Sequence, residues 1–182
     1  CRALKLLMLL PPDGFNPMET FSQALLEHDP DVICLQEAIH DGESFYETLL
    51  PGYICLGKAS AHVEYAMLFL VRESLAARAN PIKLADSWDP YGYKHVVLAC
   101  LQFAGDSVVI GSCHLAPFTA GSSERLNKMK EMLSHCHPED KLLIAGDYNM
   151  RQAEDGDFET LGLSEAWKEA GSDKEKKFTF DS

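Results

Sequence analysis

Residues 142–151 read LLIAGDYNMR, an apolar run that breaks at Gly146 and then carries Asp147 and Asn149 two places apart. A carboxylate and a carboxamide at spacing i, i+2 on extended backbone point to one side, because side chains alternate along a strand. Side by side at a strand's end, the pair suits phosphate or metal chemistry. Gly, Asp and Asn are also common turn formers, so the stretch alone leaves a site and a plain turn equally open. Two other apolar runs end on polar residues that their bodies do not explain: DVICLQE closes on Gln36-Glu37, and SVVIGSCHL carries His114. Ligands of layered α/β folds gather at one edge where strand ends meet, so these three ends are expected to share a site. Glu37 is a hard oxygen ligand suited to Mg²⁺, which takes one or two protein carboxylates and keeps most of its waters. Asp147 would orient or deprotonate an attacking water, and Asn149 would hydrogen-bond a phosphate oxygen or the nucleophile. His114 would donate to a phosphoryl oxygen as charge builds on it. In-line phosphoryl transfer needs mainly positioning and charge neutralisation, which this set supplies. Taken singly, each residue has a plainer reading: Glu37 as a solvated loop residue, His114 as a hydrogen-bonded structural histidine.

The elements that must position these residues alternate in type. Residues 18–28 carry Met18, Phe21, Leu25 and Leu26 at helical spacing, and Asp29-Pro30 stops that helix. Residues 31–37 form a short buried strand. Residues 42–50 read as a helix stopped by Pro51-Gly52, and 53–58, 66–73, 95–104 and 106–115 read as strands. Gly105-Asp106 marks a hairpin between the last two. A helix is expected from Ser123 to His135, capped by Ser122 or Ser123, with Leu126, Met129, Met132 and Leu133 as its apolar stripe. KLLIAGDYN is a strand, 157–171 a short helical segment, and DKEKKFTFDS a charge run opening one more strand. The opening CRALKLLMLLPP reads as a first strand and not a signal peptide, since no small-residue cleavage site follows and Pro11-Pro12 interrupts it. The expected fold class is α/β, two sheets packed together with helices outside; a doubly wound parallel sheet is the runner-up.

At 182 residues, 46% hydrophobic and 24% charged, the chain is expected to form a single domain over 1–182. No apolar run reaches the roughly 20 residues of a membrane helix, so no membrane partner is expected. The cysteines, Cys1, Cys34, Cys55, Cys100, Cys113 and Cys136, are dispersed without a CxxC pair, which argues for a reducing, intracellular compartment. Net charge is −12, so nucleic acid would have to be held at a local site, with a bound cation offsetting the acids, and not by a basic surface.

DVICLQE, SCHL, GDYNMR and FTFDS, in that order, with Glu124-Arg125-Leu126-Asn127-Lys128-Met129-Lys130 ahead of GDYNMR, resemble the endonuclease/exonuclease/phosphatase superfamily with its DNase I-like fold. Within it, the likeness is to the tyrosyl-DNA phosphodiesterase 2 branch. The resemblance implies a four-layer α/β/β/α sandwich and metal-dependent hydrolysis of a phosphodiester, a 5′-phosphotyrosyl-DNA bond or nucleic acid. It implies Mg²⁺, with Mn²⁺ as the substitute, on Glu37; Asp147 and Asn149 as the water- and phosphate-positioning pair; and His114 on phosphate. Arg151 and Phe180 would bind substrate, Phe180 lining the nucleic-acid groove. DNA or a protein–DNA adduct is the implied partner, and nucleus and cytoplasm the implied location.

The chain also departs from that pattern. Leu9, Leu10 and Pro11 stand near the place of a metal-site asparagine, and Asn16 comes only after a Pro-Pro-Asp-Gly turn. Ala116-Pro117 replace a Glu-Ser whose serine touches phosphate. The family's closing strands, with a Ser-Asp-His, have no counterpart before Ser182. The domain is therefore expected to be C-terminally incomplete, this chain weak or inactive, and its uncovered edge a place for a protein partner. The alternative function is a non-catalytic relative of the fold acting as a binding or interaction module.

Overall fold

Val32, Cys34, Phe69 and Val71 alternate with Ile33, Leu35, Leu68 and Leu70 along two strands, and all eight are buried. Strands apolar on both faces must be covered on both faces, and that requirement builds the molecule. The structure is a computed structural model that describes residues 6–9, 18–39, 43–59, 65–82, 95–154 and 156–172.

The first sheet has the order β1-β2-β4-β3, from β1 (Leu6–Leu9), β2 (Val32–Ile39), β3 (Tyr53–Ala59) and β4 (Tyr65–Arg72). The second has the order β5-β6-β7-β8, from β5 (Ala79–Ile82), β6 (His95–Phe103), β7 (Asp106–His114) and β8 (Lys141–Asp147). β1 and β2 run parallel, as do β7 and β8; the other neighbours are antiparallel. Each parallel pair needs a crossover, supplied by the helix α1 (Met18–His28) in the first sheet and, in the second, by a helix over Ser122–Ser134.

Three apolar clusters separate four layers. Leu25 of α1, with Tyr46 of α2 (Glu43–Leu49) and the adjoining Leu50, covers the outer face of the first sheet at Ile33, Leu35, Leu68 and Leu70. Between the sheets, Val32, Cys34, Phe69 and Val71 meet Ala99, Leu101, Val108 and Ile110. After the short α3 (Glu73–Ala76), α4 (Ser122–Ser134) lays Met129 and Met132 on Leu98, Val109 and Cys113. The α/β/β/α sandwich is formed, and the doubly wound alternative is not.

Several local expectations are corrected. The β6–β7 turn is Ala104-Gly105, both at positive φ (54° and 92°), with Phe103 facing Asp106; this is the two-residue turn whose twist matches paired strands. The helix α4 starts at Ser122 behind Gly121, with no side-chain cap. Its buried face is Arg125, Lys128, Met129 and Met132, while Leu126 and Leu133 are only partly covered. β5 contains Pro81, which obscures it in the sequence and which an edge strand tolerates. Residues 157–171 hold a turn of 3-10 helix at Glu159–Leu161 and a short α5 (Ala166–Glu169). The expected closing strand lies outside the described residues.

Candidate functional site

β7 and β8 run in parallel register, so their last residues, His114 and Asp147, are cross-strand partners. The pair one step back is Cys113 and Gly146. A Cβ at residue 146 would stand 1.9 Å from the Cys113 carbonyl oxygen, and Gly146 has φ +148°. Only glycine permits that approach, so the first residue of GDYN is the one that lets β8 close on β7. Tyr148 then turns inward: its hydroxyl donates to the Ile144 carbonyl at 2.7 Å and its ring meets Phe158 edge-on at 5.5 Å. Asp147 and Asn149 are left on the open side.

The register of β2 against β4 slips between Leu35 and Ala38, where Gln36 and Glu37 lie. Such a bulge re-aims side chains. Glu37 takes φ +53° and becomes half exposed, whereas Gln36 is fully buried and donates from Nε2 to Ser112 Oγ at 3.1 Å. Ser112 also bonds the buried Cys34, whose thiol burial pushes up to about 12. Gln36 Oε1 accepts no hydrogen bond among the described residues.

These placements bring Glu37 of the first sheet and Asp147 of the second to the same nitrogen of one imidazole. His114 Nε2 lies 3.7 Å from Glu37 Oε1 and 3.7 Å from Asp147 Oδ2. That is too long for a direct hydrogen bond and within ion-pair reach of a protonated imidazole. The site therefore straddles the seam between the sheets at the ends of β2, β7 and β8.

Asn149 joins it by a different route from strand alternation. β8 ends at Asp147, and Asn149 adopts φ +49°, its N–H donating to Asp147 Oδ1 at 2.9 Å. Its carboxamide Nδ2 donates to the Leu115 carbonyl at 2.9 Å. The turn reading of GDYN is correct, and the Asx turn holds the carboxylate and the amide together on one side.

Arg125 and Glu154 brace the surrounding loops. Arg125 Nη1 donates to the carbonyls of Ala116 (2.6 Å) and Phe118 (2.9 Å), and its Nη2 pairs with Glu154. Glu154 Oε2 accepts the Arg151 N–H at 3.1 Å. The Arg125 guanidinium, with the Ser122 hydroxyl, pulls the Glu154 carboxyl down to about 2. The segments after β7 and after β8 are thereby tied to α4, and Arg151 is left exposed beside them. Phe180 lies outside the described residues.

The donor set suits a hydrated hard cation: two carboxylates share one space, and Mg²⁺ asks for no more from the protein. Among the described residues no group of three or more His, Cys, Asp or Glu is placed to hold a metal ion, so the protein would supply one or two carboxylates and water the rest. Ser112, Glu154 and Phe118 were not legible as part of this site. Glu154 is 29 residues from Arg125, and nothing in its local sequence marks the pair.

The sequence profile of the Endonuclease/Exonuclease/phosphatase family matches residues 12–179. The chain is similar to a humanised D. rerio TDP2 carrying 14 mutations, at 20% identity over 98% of this chain and 76% of that one, with a TM-score of 0.73. It is similar to D. rerio TDP2 complexed with a single-strand DNA product at 19% identity, 93% and 71% coverage, and a TM-score of 0.70. The mannosyl-6-phosphatase Bt3783 of Bacteroides thetaiotaomicron is similar at 13% identity, 91% and 74% coverage, and a TM-score of 0.70. At these identities the likeness speaks for the fold. No curated protein sequence matches the chain.

Proposed function

The chain belongs to the Endonuclease/Exonuclease/phosphatase family, and on that footing we propose that it is a divalent-metal-dependent phosphodiesterase of the tyrosyl-DNA phosphodiesterase 2 kind, acting at a 5′ end of DNA or of a protein–DNA adduct. The observation that carries the reading is His114 Nε2 at 3.7 Å from a carboxylate of each sheet. Glu37, open to solvent at the bulge, would hold Mg²⁺ or Mn²⁺, which would neutralise phosphate charge there. Asp147 Oδ1 is engaged by the Asn149 N–H, which fixes the carboxylate so that Oδ2 serves as acceptor for the attacking water's proton. Asn149 Nδ2 spends one N–H on Leu115 and keeps the other for a phosphate oxygen. His114 Nε2 donates to the phosphoryl oxygen, and the exposed Arg151 would contact a neighbouring phosphate. Phe180 would line the same groove. The free cysteines, two of them buried, support a reducing compartment, and we place the protein in nucleus and cytoplasm. β8 pairs only with β7 among the described residues, so its other side is where a protein partner would add.

A non-catalytic binding module is the second reading. It is favoured by Ala116-Pro117, neither of which carries a side-chain donor for phosphate.

The test is Mg²⁺ titration by calorimetry alongside hydrolysis of a 5′-phosphotyrosyl oligonucleotide. The expected outcome is heat that vanishes in Glu37→Ala, with metal-dependent tyrosine release that drops about 100-fold or more in Asp147→Asn. Metal binding without turnover would favour the binding module. The absence of both heat and turnover would overturn the hydrolase and leave the binding module.

A further inference from the structure

Phe118 is the most solvent-exposed large apolar side chain of the described residues, 68% accessible where Leu26, Phe45, Ile54 and Leu143 stay between 36% and 44%. Its backbone is held at φ +67°, a conformation that is a genuine outlier for a bulky residue. Six described non-glycine residues have positive φ, and three of them, Glu37, Phe118 and Asn149, belong to the segments that end β2, β7 and β8. Glu37 and Asn149 are site residues; Phe118 is the third member and has no assigned role.

The conformation is imposed from outside the loop. Arg125 Nη1 binds the carbonyls of Ala116 and Phe118, and the Gly121 N–H donates to the Phe118 carbonyl at 3.2 Å. The chain is thus fastened in a strained geometry whose result is an aromatic ring presented to water, four residues from His114. Strain kept in place by a buried ion pair, at a site rim, points to a contact made with a ligand.

We propose that Phe118 is a specificity-determining residue, a platform on which the unpaired 5′-terminal nucleobase stacks while the adjoining phosphate enters the His114 site. The inference rests on the phosphodiesterase reading and adds to it the residue that holds the first base beside the phosphate. A flat apolar ring that is 68% exposed accepts any base, since every base has a π-face. A chain of net charge −12 gains little from counterion release, so stacking has to supply affinity that a basic groove would otherwise give. Arg125 is the positioning residue behind it.

The test is fluorescence anisotropy with two 3′-labelled single-stranded oligonucleotides, one with a base and one abasic at the 5′-terminal nucleotide. Phe118→Ala should weaken binding of the first about tenfold, the scale of one base–aromatic stack, and leave the second unchanged. Phe118→Trp should restore it. Phe118→Asn, whose side chain tolerates the left-handed backbone, should raise the melting temperature while weakening binding, a split that a merely structural role would not produce. Equal loss on both oligonucleotides, or none in Phe118→Ala, would overturn the stacking role. If the wild-type chain binds neither oligonucleotide, the inference falls. The Glu37-dependent metal titration then reports separately on the hydrolase.

Discussion

Gly146, Glu37 and Asn149 show how single residues set this site. Gly146 admits the Cys113 carbonyl where a Cβ would be 1.9 Å away, and that carbonyl cannot retreat because β7 is paired on both sides. Gly146→Ala should therefore cost about 3 kcal/mol, combining steric overpacking with a strained backbone. Thermal unfolding should register this as a fall of about 6–12 °C for a chain of this size. A change under about 2 °C would mean the strands part more easily than their register implies. The sequence places Asp147 and Asn149 on one side of a strand, and the structure places them together by a different geometry. Asp147 and Asn149 are joined by an Asx turn and not by strand alternation, because the strand stops at the residue where its cross-strand partner, His114, also ends.

Among the elements, α4 does more than cover the second sheet. Its Arg125 is buried and joined to Glu154, with the segments following β7 and β8 hung from that pair. Glu154 titrates at about 2 in the folded protein against an ordinary 4.5. A depressed carboxyl stabilises the fold above its unfolded value and loses that contribution as pH falls toward the folded one. Glu154→Gln should accordingly cost about 3 kcal/mol near pH 6, comparable to breaking a buried ion pair. The gap between the two melting temperatures should narrow from pH 4.5 downward and nearly close by pH 2. A gap independent of pH would refute the ionic account of this brace. The ER motif of α4 was visible in the sequence, and the helix was expected within a residue of its place. Its buried face was misjudged because periodicity counts apolar residues, while Arg125 and Lys128 bury long stems and find partners for their charges.

At the scale of the whole molecule, acidity decides how any nucleic acid is held. A basic binder that neutralises many phosphates loses orders of magnitude in affinity between 50 and 200 mM salt. Here the net charge is −12, and the buried Arg125 and Lys128 are already paired. Oligonucleotide affinity should fall less than about tenfold over that range, as for one or two phosphate contacts. Anisotropy titrations at several salt concentrations would check this, and a steep slope would reveal a cationic surface that the described residues do not show.

Local apolar patterning by itself determined most of the strands and helices and the three strands that end on polar residues, and it pointed to two packed sheets with helices outside. Those properties depend on residues close in sequence, where periodicity and turn chemistry act. Only the tertiary structure decided the bulge that swings Glu37 outward, the spacing of two carboxylates about one imidazole, the Arg125–Glu154 brace and the exposed ring of Phe118. Each of these joins segments tens of residues apart or strains a backbone against its own preference. Such arrangements follow from packing two sheets against each other, and a local stretch of sequence carries no mark of them.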